Sequence, residues 1–318
     1  MGGIENIESN RIKETMLNLI TTQLQNDGLK SLIFSFLTNK EEMNFANLTI
    51  LHHQIFDRKD PELLNLAAAV ELLVLSFDIF DDLEDLDNTE EPWMKIDHSI
   101  ALNAATILYT LSQQTVLSLS SPFKHQILAS LLKYSIQAME GQHDDLEDNI
   151  SSEEDCLQMM KLKSGSLIAL ASVCGMQLAG ENDKLVEEYA YQIGIAAQTD
   201  NDFRDLFNPL KNDMKNQKKS LAVLYLQRNY NEHAIDLLKF YQSGLDIKDQ
   251  FGSIENYKQK LLDSGVMQYL NVVKQIAINR ASRMIDNLNI NSEHKEFVKS
   301  NLIIKKHNIG RDHSCRKS

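Results

Sequence analysis

Apolar residues along this chain recur at three- and four-residue spacing. Examples are "ILASLLKYSIQAM" (127–139) and "LVEEYAYQIGIAAQ" (185–198), while the two-residue alternation of strands is scarce. The pattern predicts helices throughout and an all-α fold. Only four prolines interrupt it, Pro61, Pro92, Pro122 and Pro209, and they predict loops at about those positions. No proline falls between Phe123 and Asn208. There is no linker, low-complexity block or short repeat, so one helical domain over 1–318 is expected. From Lys295 the chain turns basic, with Lys299, Lys305, Lys306, Arg311, Arg316 and Lys317. This stretch, about 295–318, reads as a solvated tail.

The most apolar segment is "LLNLAAAVELLVLSF" (63–77). Glu71 interrupts it, so it is expected to fall short of the ~20 apolar residues that cross a bilayer. Directly after it comes "FDIFDDLEDLDN" (77–88). On one helix over 64–86, at roughly 100° per residue, Asp78, Asp81, Asp82 and Asp85 fall within an arc of about 100°. Asp87 lands on the far side. Carboxylates three or four residues apart repel by about 3 kcal/mol at an effective dielectric of 20, and far less when fully hydrated. A solvated helix end would tolerate that. A cleft-facing cluster needs a cation, and the apolar stretch Val70 to Phe80 favours the cleft. Oxygen-only ligands select Mg²⁺ or Mn²⁺.

A second cluster, "GIAAQTDNDFRDLFN" (194–208), also follows apolar helix. Gln198, Asn201 and Asp205 share a face there, with Asp202 at its edge. Asp200 points away, four residues from Arg204, and an ion pair is its expected fate. Cations lie nearby in sequence. "KLKSGSLIAL" offers Lys163 ahead of Gly165, where a chain can approach a ligand closely. "NDMKNQKKSLAVLY" offers Lys211, Lys215, Lys218 and Lys219. Carboxylates beside lysines suit a metal with a phosphate, although the default for any one lysine is solvation.

Charge narrows the classes. The formal net charge is −13 and the isoelectric point about 5.2, which argues against a general binder of nucleic acid or anionic membranes. Cys156, Cys174 and Cys315 form neither a disulfide framework nor a zinc spacing, as expected of a reducing cytoplasm. "MGGIENIESN" is too polar for a signal peptide, and Asn6 is not the Ser or Thr that myristoylation at Gly2 prefers. In "CRKS" the residues after Cys315 are not aliphatic, against prenylation of that cysteine.

Five segments, in order, resemble the trans-isoprenyl diphosphate synthase family. "DDLED" (81–85) resembles its DDxxD, "GQHDD" (141–145) its GQxxD, and "KSG" (163–165) its KTG. "GIAAQTDNDFRD" (194–205) is similar to its GxxxQxxDDxxD, and "DMKNQKKS" (213–220) to DxxxxKxT with Ser220 for Thr. The match spans about 65–225. The resemblance implies an isoprenoid-synthase-like helical bundle with a central cavity, often a homodimer. It also implies Mg²⁺, with Mn²⁺ as a substitute, between two acidic motifs and an allylic diphosphate. Carried over, the metal ligands are Asp81, Asp82, Asp85 and Asp205, with Asn201 offering an amide oxygen. Lys163, Gln198 and Lys218 contact the diphosphate, and Asp81, Asp85, Lys163 and Lys218 carry the ionisation. Phe77, four residues before Asp81, either floors the cavity and limits the prenyl chain or is plain core.

The departures narrow the reading further. Asn201 replaces an aspartate. The arginine pair after DDxxD is absent, since the text there is "LDNTEEPWMKID". The N-terminal GKxxRP segment, which holds isopentenyl diphosphate in the family, is absent too, and "SLIFSFLTNKEEMNF" offers only Lys40. The allylic half-site is kept and the homoallylic one is not. That combination resembles the branch that passes a geranyl or farnesyl group to a tryptophan of a ComX-type pheromone precursor peptide, implying quorum sensing and competence. Open alternatives are a chain-elongating synthase, a non-catalytic regulatory subunit of one, and a terpene cyclase. Against the last, Pro209 stands where a cyclase has its carboxylate.

Four smaller features complete the reading. His52 and His53 diverge by about 100° on a helix, so a shared metal is not expected. Cys156 and Cys174 lack the surroundings of a nucleophile. Trp93 is expected to pack under a loop. Asp144, Asp145, Glu147 and Asp148 form a third acidic group, either ion-paired or ligating.

Overall fold

A computed structural model describes residues 2–38, 40, 42–207, 219–243 and 245–304. Every regular element among them is helical: α1 (Gly2–Gln23), α2 (Asp27–Thr38), α3 (Asn44–Gln54), α4 (Leu63–Asp85), α5 (His98–Ser118), α6 (Lys124–Glu147), α7 (Glu153–Met160), α8 (Ser166–Leu178), α9 (Lys184–Asp205), α10 (Leu221–Gln227), α11 (Glu232–Ser243), α12 (Ile247–Phe251), α13 (Ile254–Ser264), α14 (Val266–Asp286) and α15 (Ser292–Lys299). Short 3₁₀ and π turns sit at Pro92–Lys95, Lys161–Gly165 and Ser300–Ile304. The all-α expectation is borne out, and Pro61, Pro92 and Pro122 lie in loops or at a turn's first residue. Pro209 lies outside the described residues.

The chain resolves into two units, each discontinuous in sequence. The first comprises 1–136, 167–190 and 284–318; the second comprises 137–166 and 191–283. In the first, α4 packs on α5, α3 and α1. The core is written in the heptad-like spacing of each helix. Ile12, Met16 and Ile20 come from α1, Ile33, Phe36 and Leu37 from α2, Leu72, Leu75, Ile79 and Leu83 from α4, and Ala101, Ala104, Ala105 and Leu108 from α5, all buried. Buried alanines on both helices, Ala67 and Ala68 on α4 and Ala101, Ala104 and Ala105 on α5, leave room for the two to pack together.

Helix α4 corrects one expectation. It is long and apolar enough to cross a membrane, with an 18-residue window of mean hydropathy 2.0. Glu71 does not interrupt it, because that carboxylate is paired inside the protein. Two thirds of the window, 67%, is buried within the chain, as in a core helix. The helix ends at Leu86, whose φ of 55° is left-handed and whose N–H bonds the Asp82 carbonyl. Asn88 is left-handed as well, at φ 47°.

In the second unit, Tyr257 donates to the Leu206 carbonyl (2.6 Å) and meets the Tyr241 hydroxyl (2.9 Å), which ties the end of α9 to α11 and α13. The basic stretch after Lys295 is also corrected in part. Residues 292–304 are helical, Val298 is buried, and Lys299 bridges Asp286 at 2.6 Å. Lys305 to Ser318, including Cys315, lie outside the described residues.

Candidate active site

On α4 the four carboxylates of one face have different fates. Asp82 is buried, and both its oxygens are engaged. Oδ1 accepts from Asn88 Nδ2 (2.6 Å) and Oδ2 from Trp93 Nε1 (2.7 Å). Burial raises its carboxyl to about 6, against the two hydrogen bonds and with the help of Asp81. Asp81 and Asp85 are half-buried, and Asp78 is exposed. Crowding by surrounding protein raises Asp78 to about 7; Lys40 opposes this, while Glu71, Asp82 and Asp81 add to it. Trp93 is more than loop packing. It lies edge-on to Phe36 (5.7 Å, 80°) and orients the middle carboxylate of the motif. Sequence reasoning missed that role, because the bond spans eleven residues and a 3₁₀ turn.

Two turns before Asp78 on the same face stands Glu71, 1% exposed. Its Oε2 accepts from the backbone N–H groups of Phe45 (3.0 Å) and Ala46 (2.8 Å), capping α3, and its Oε1 pairs with Lys40 Nζ at 2.9 Å. Burial alone would lower the Lys40 ammonium. Glu71 and then Asp78 outweigh it and hold the group above its ordinary value.

The second unit places its motif residues by close backbone contact. A Cβ on Gly141 would come within 2.2 Å of the Lys163 nitrogen, and one on Gly194 within 2.2 Å of the Gly165 Cα. So α6, the π turn Lys161–Gly165 and α9 touch through glycine at each of three motifs. The close approach expected at Gly165 is therefore to α9. A π turn widens the backbone locally and is common at functional sites. Here it carries Lys163, whose Nζ meets Asp145 Oδ2 at 2.7 Å. Next to it, Ser164 Oγ donates to Gln198 Oε1 (2.8 Å), and Gln198 in turn bonds Asp202.

Asp202 proves more central than its position at the edge of the face suggested. Burial and then Asp205 raise its carboxyl to about 8, against the Leu221 N–H and with Asp145 adding to the rise. Its Oδ2 is buried without a hydrogen bond. Asp205 is half-buried and Asn201 exposed. Asp200 pairs with Arg204 (2.5 Å), as expected, and also with Lys274. Of the third acidic group, Asp145 is ion-paired with Lys163 and Asp148 with Lys219 Nζ at 4.0 Å, and Asp148 Oδ1 also accepts from the Lys219 backbone N–H at 2.8 Å. Lys211, Lys215 and Lys218 lie outside the described residues.

Phe77 is half-buried in an aromatic group with Tyr109 (6.0 Å, 81°) and Phe80 (6.5 Å, 72°). His52 bonds the Leu48 carbonyl (2.7 Å) and the Tyr189 hydroxyl (2.5 Å), and burial lowers it to about 4. Burial raises the thiols of Cys156 and Cys174, which are inert core groups.

The donor set fits a hard divalent cation. Each motif offers carboxylate or amide oxygens and no sulfur, and Asp202 Oδ2 is a buried oxygen without a donor. Among the described residues no three His, Cys, Asp or Glu side chains converge as a ready-made cage. These oxygens would supply part of a divalent cation's coordination shell, leaving room for other oxygen ligands. Mg²⁺ is commonly bound in that way.

These features, two acidic helix faces and a glycine-packed lysine turn on an all-α frame, define an isoprenoid-synthase fold. Over 95% of the chain, the structure matches a polyprenyl synthetase from Streptomyces coelicolor, covering 98% of it, with a TM-score of 0.80 at 18% identity. It also matches a polyprenyl synthase from Caulobacter crescentus, solved with calcium and isoprenyl diphosphate, over 92% of this chain and 95% of that one (TM-score 0.75, 17% identity). The family model for polyprenyl synthetase matches residues 38–254. The chain is 43% identical to the tryptophan prenyltransferase ComQ of Bacillus subtilis subsp. natto, across 91% of this chain and 90% of that protein. The chain belongs to the polyprenyl synthetase family.

Proposed function

We propose that this protein is a prenyltransferase that ionises geranyl or farnesyl diphosphate with a divalent cation. It passes the prenyl group to a tryptophan of a ComX-type pheromone precursor peptide, in quorum sensing and competence. The observation that carries the reading is the 43% identity to a tryptophan prenyltransferase over nearly the whole chain. The commitment of Lys40 to Glu71 supports it, since the one cation kept at the place of the isopentenyl diphosphate segment is already paired. Mg²⁺ is the resident cation in this reading, with Mn²⁺ as a substitute, and the protein works in the cytoplasm as a homodimer.

Asp81 and Asp85 of α4 would ligate a divalent cation, as would Asp202, Asp205 and Asn201 of α9. Asp82, fixed by Trp93 and Asn88, positions the first pair. The cation, when bound, offsets the charge of the departing diphosphate. Lys163, Gln198 and Lys218 orient the diphosphate; Lys163 exchanges Asp145 for a phosphate oxygen, and Gln198 is held by Ser164. Phe77 lines the prenyl chain and keeps it short.

The test offers purified protein, Mg²⁺ and farnesyl or geranyl diphosphate to a Trp-containing precursor peptide and, in parallel, to isopentenyl diphosphate. The expected product is peptide heavier by one prenyl group, lost with Asp81→Ala and with a Trp-less peptide. A longer prenyl diphosphate and unmodified peptide would instead mark a chain-elongating synthase.

A further inference from the structure

We propose that Asp78 is the base that accepts the proton released when the acceptor tryptophan is prenylated. The inference rests on the function proposed above and adds a residue to it.

The reaction needs such a group. The allylic C–O bond breaks with its electron pair leaving on the diphosphate. An indole π pair then forms the new bond to the allylic carbon, and the positive charge passes into the ring. Neutrality returns when the ring gives up one proton. Prenyl diphosphate and tryptophan thus become prenyl-tryptophan, diphosphate and one proton. Chain elongation with isopentenyl diphosphate also releases a proton, but there the acceptor brings its own diphosphate into the site. A peptide acceptor brings none.

The face of α4 shows where the proton can go. Glu71, Asp78 and Asp85 are spaced by seven residues and lie on one stripe, about 10 Å apart along the axis. At one end Glu71 is buried and spent on Lys40 and on the α3 backbone. At the other, Asp85 stands with Asp81 in the candidate cation site. Asp82 is fixed by Trp93 and Asn88. Asp78 lies between, one turn before Asp81, and it alone of the four motif-face carboxylates is exposed. The placement suits an acceptor: Asp78 stands one turn before the candidate cation site and next in sequence to Phe77, whose ring meets Tyr109.

The charges acting on Asp78 most strongly are Lys40, from the segment before α3, and Glu71, Asp82 and Asp81, from its own helix. An exposed carboxylate so placed can receive the proton from an acceptor that reaches it. The same carboxylate repels an acceptor diphosphate, so one residue favours a neutral ring and disfavours isopentenyl diphosphate.

The experiment compares the full-length protein with Asp78→Asn and Asp78→Glu, all with Mg²⁺, farnesyl diphosphate and the Trp-containing peptide. Two products are counted across about pH 5 to 9: diphosphate released and peptide prenylated, the expected loss for a missing base being on the order of 10²-fold. The number of prenylated peptides per diphosphate released should fall by about that factor in Asp78→Asn, and the acid limb of the transfer profile should disappear. Asp78→Glu should restore part of the ratio with a displaced limb. Helical circular dichroism and the melting temperature establish that each variant is folded; should Asp78→Asn not fold, the displaced limb of Asp78→Glu decides. An unchanged ratio and limb in Asp78→Asn would overturn the proposal and assign the proton to the leaving diphosphate or to water. Equal loss of both products would also overturn it, placing Asp78 among the cation ligands. A wild-type protein that prenylates no peptide would instead refute the proposed function.

Discussion

Asp82 and Trp93 show how one hydrogen bond sets the character of the acidic motif. A carboxylate held by an indole N–H and an amide ties the end of α4 to the turn that carries Trp93. Trp93→Phe would keep the edge contact to Phe36 and remove the donor to Oδ2. Leaving that buried oxygen unpaired should cost about 1–3 kcal/mol, read as a lower melting temperature. Trp93 is also the only tryptophan of the chain, so its fluorescence reports on this bond. Emission should change when Mg²⁺ and a prenyl diphosphate are added together. An emission spectrum indifferent to both would uncouple Asp82 from the cation site.

Helix contacts set the next scale. The glycines of "GQHDD", "KSG" and "GIAAQ" are the points at which α6, the π turn and α9 meet. Gly194→Ala would drive its methyl into the Gly165 backbone, which cannot rotate away as a side chain could. The expected loss is about 1–3 kcal/mol or more, with Lys163 displaced. Thermal denaturation and the transfer assay read the two effects separately. By contrast, Leu86→Gly relieves a left-handed residue that ends α4, and should leave stability within about 1 kcal/mol of wild type or raise it. Periodicity made these helices legible: the expected 64–86 differs by one residue at each end from Leu63–Asp85. The arc of aspartates was legible for the same reason, since a helix fixes the angle between residues three or four apart. What periodicity could not reveal were contacts set by other elements. Lys163 meets Asp145 eighteen residues away, and Asp202 gains its importance from burial near Leu221 and Gln198. Glu71 looked like a break in an apolar run until its partners Lys40, Phe45 and Ala46 were in place.

At the scale of the whole molecule, a chain of net charge −13 concentrates like charges at its two acidic faces, and its stability should show it. Asp202 has a folded-state carboxyl near 8, above the unfolded value near 4. The folded state thus binds more protons in that interval, so stability falls as pH rises from about 4 to 8. His52 acts in the opposite sense. Buried and neutral, with a folded value near 4, it contributes stability that is present above about 6.5 and lost as pH falls toward 4. Between about pH 8 and 6.5 Asp202 acts without the histidine, and the melting temperature of metal-free protein should climb as pH is lowered. Below 6.5 the histidine opposes the climb and flattens it. Mg²⁺ should raise the melting temperature most at pH 8, where the carboxylates are ionised and in need of a counter-charge, and least near pH 5, where protons already serve. Thermal scans at several pH values, with chelator and with Mg²⁺, read both trends. A Mg²⁺ effect equal at pH 5 and pH 8 would mean that the cation binds away from these carboxylates.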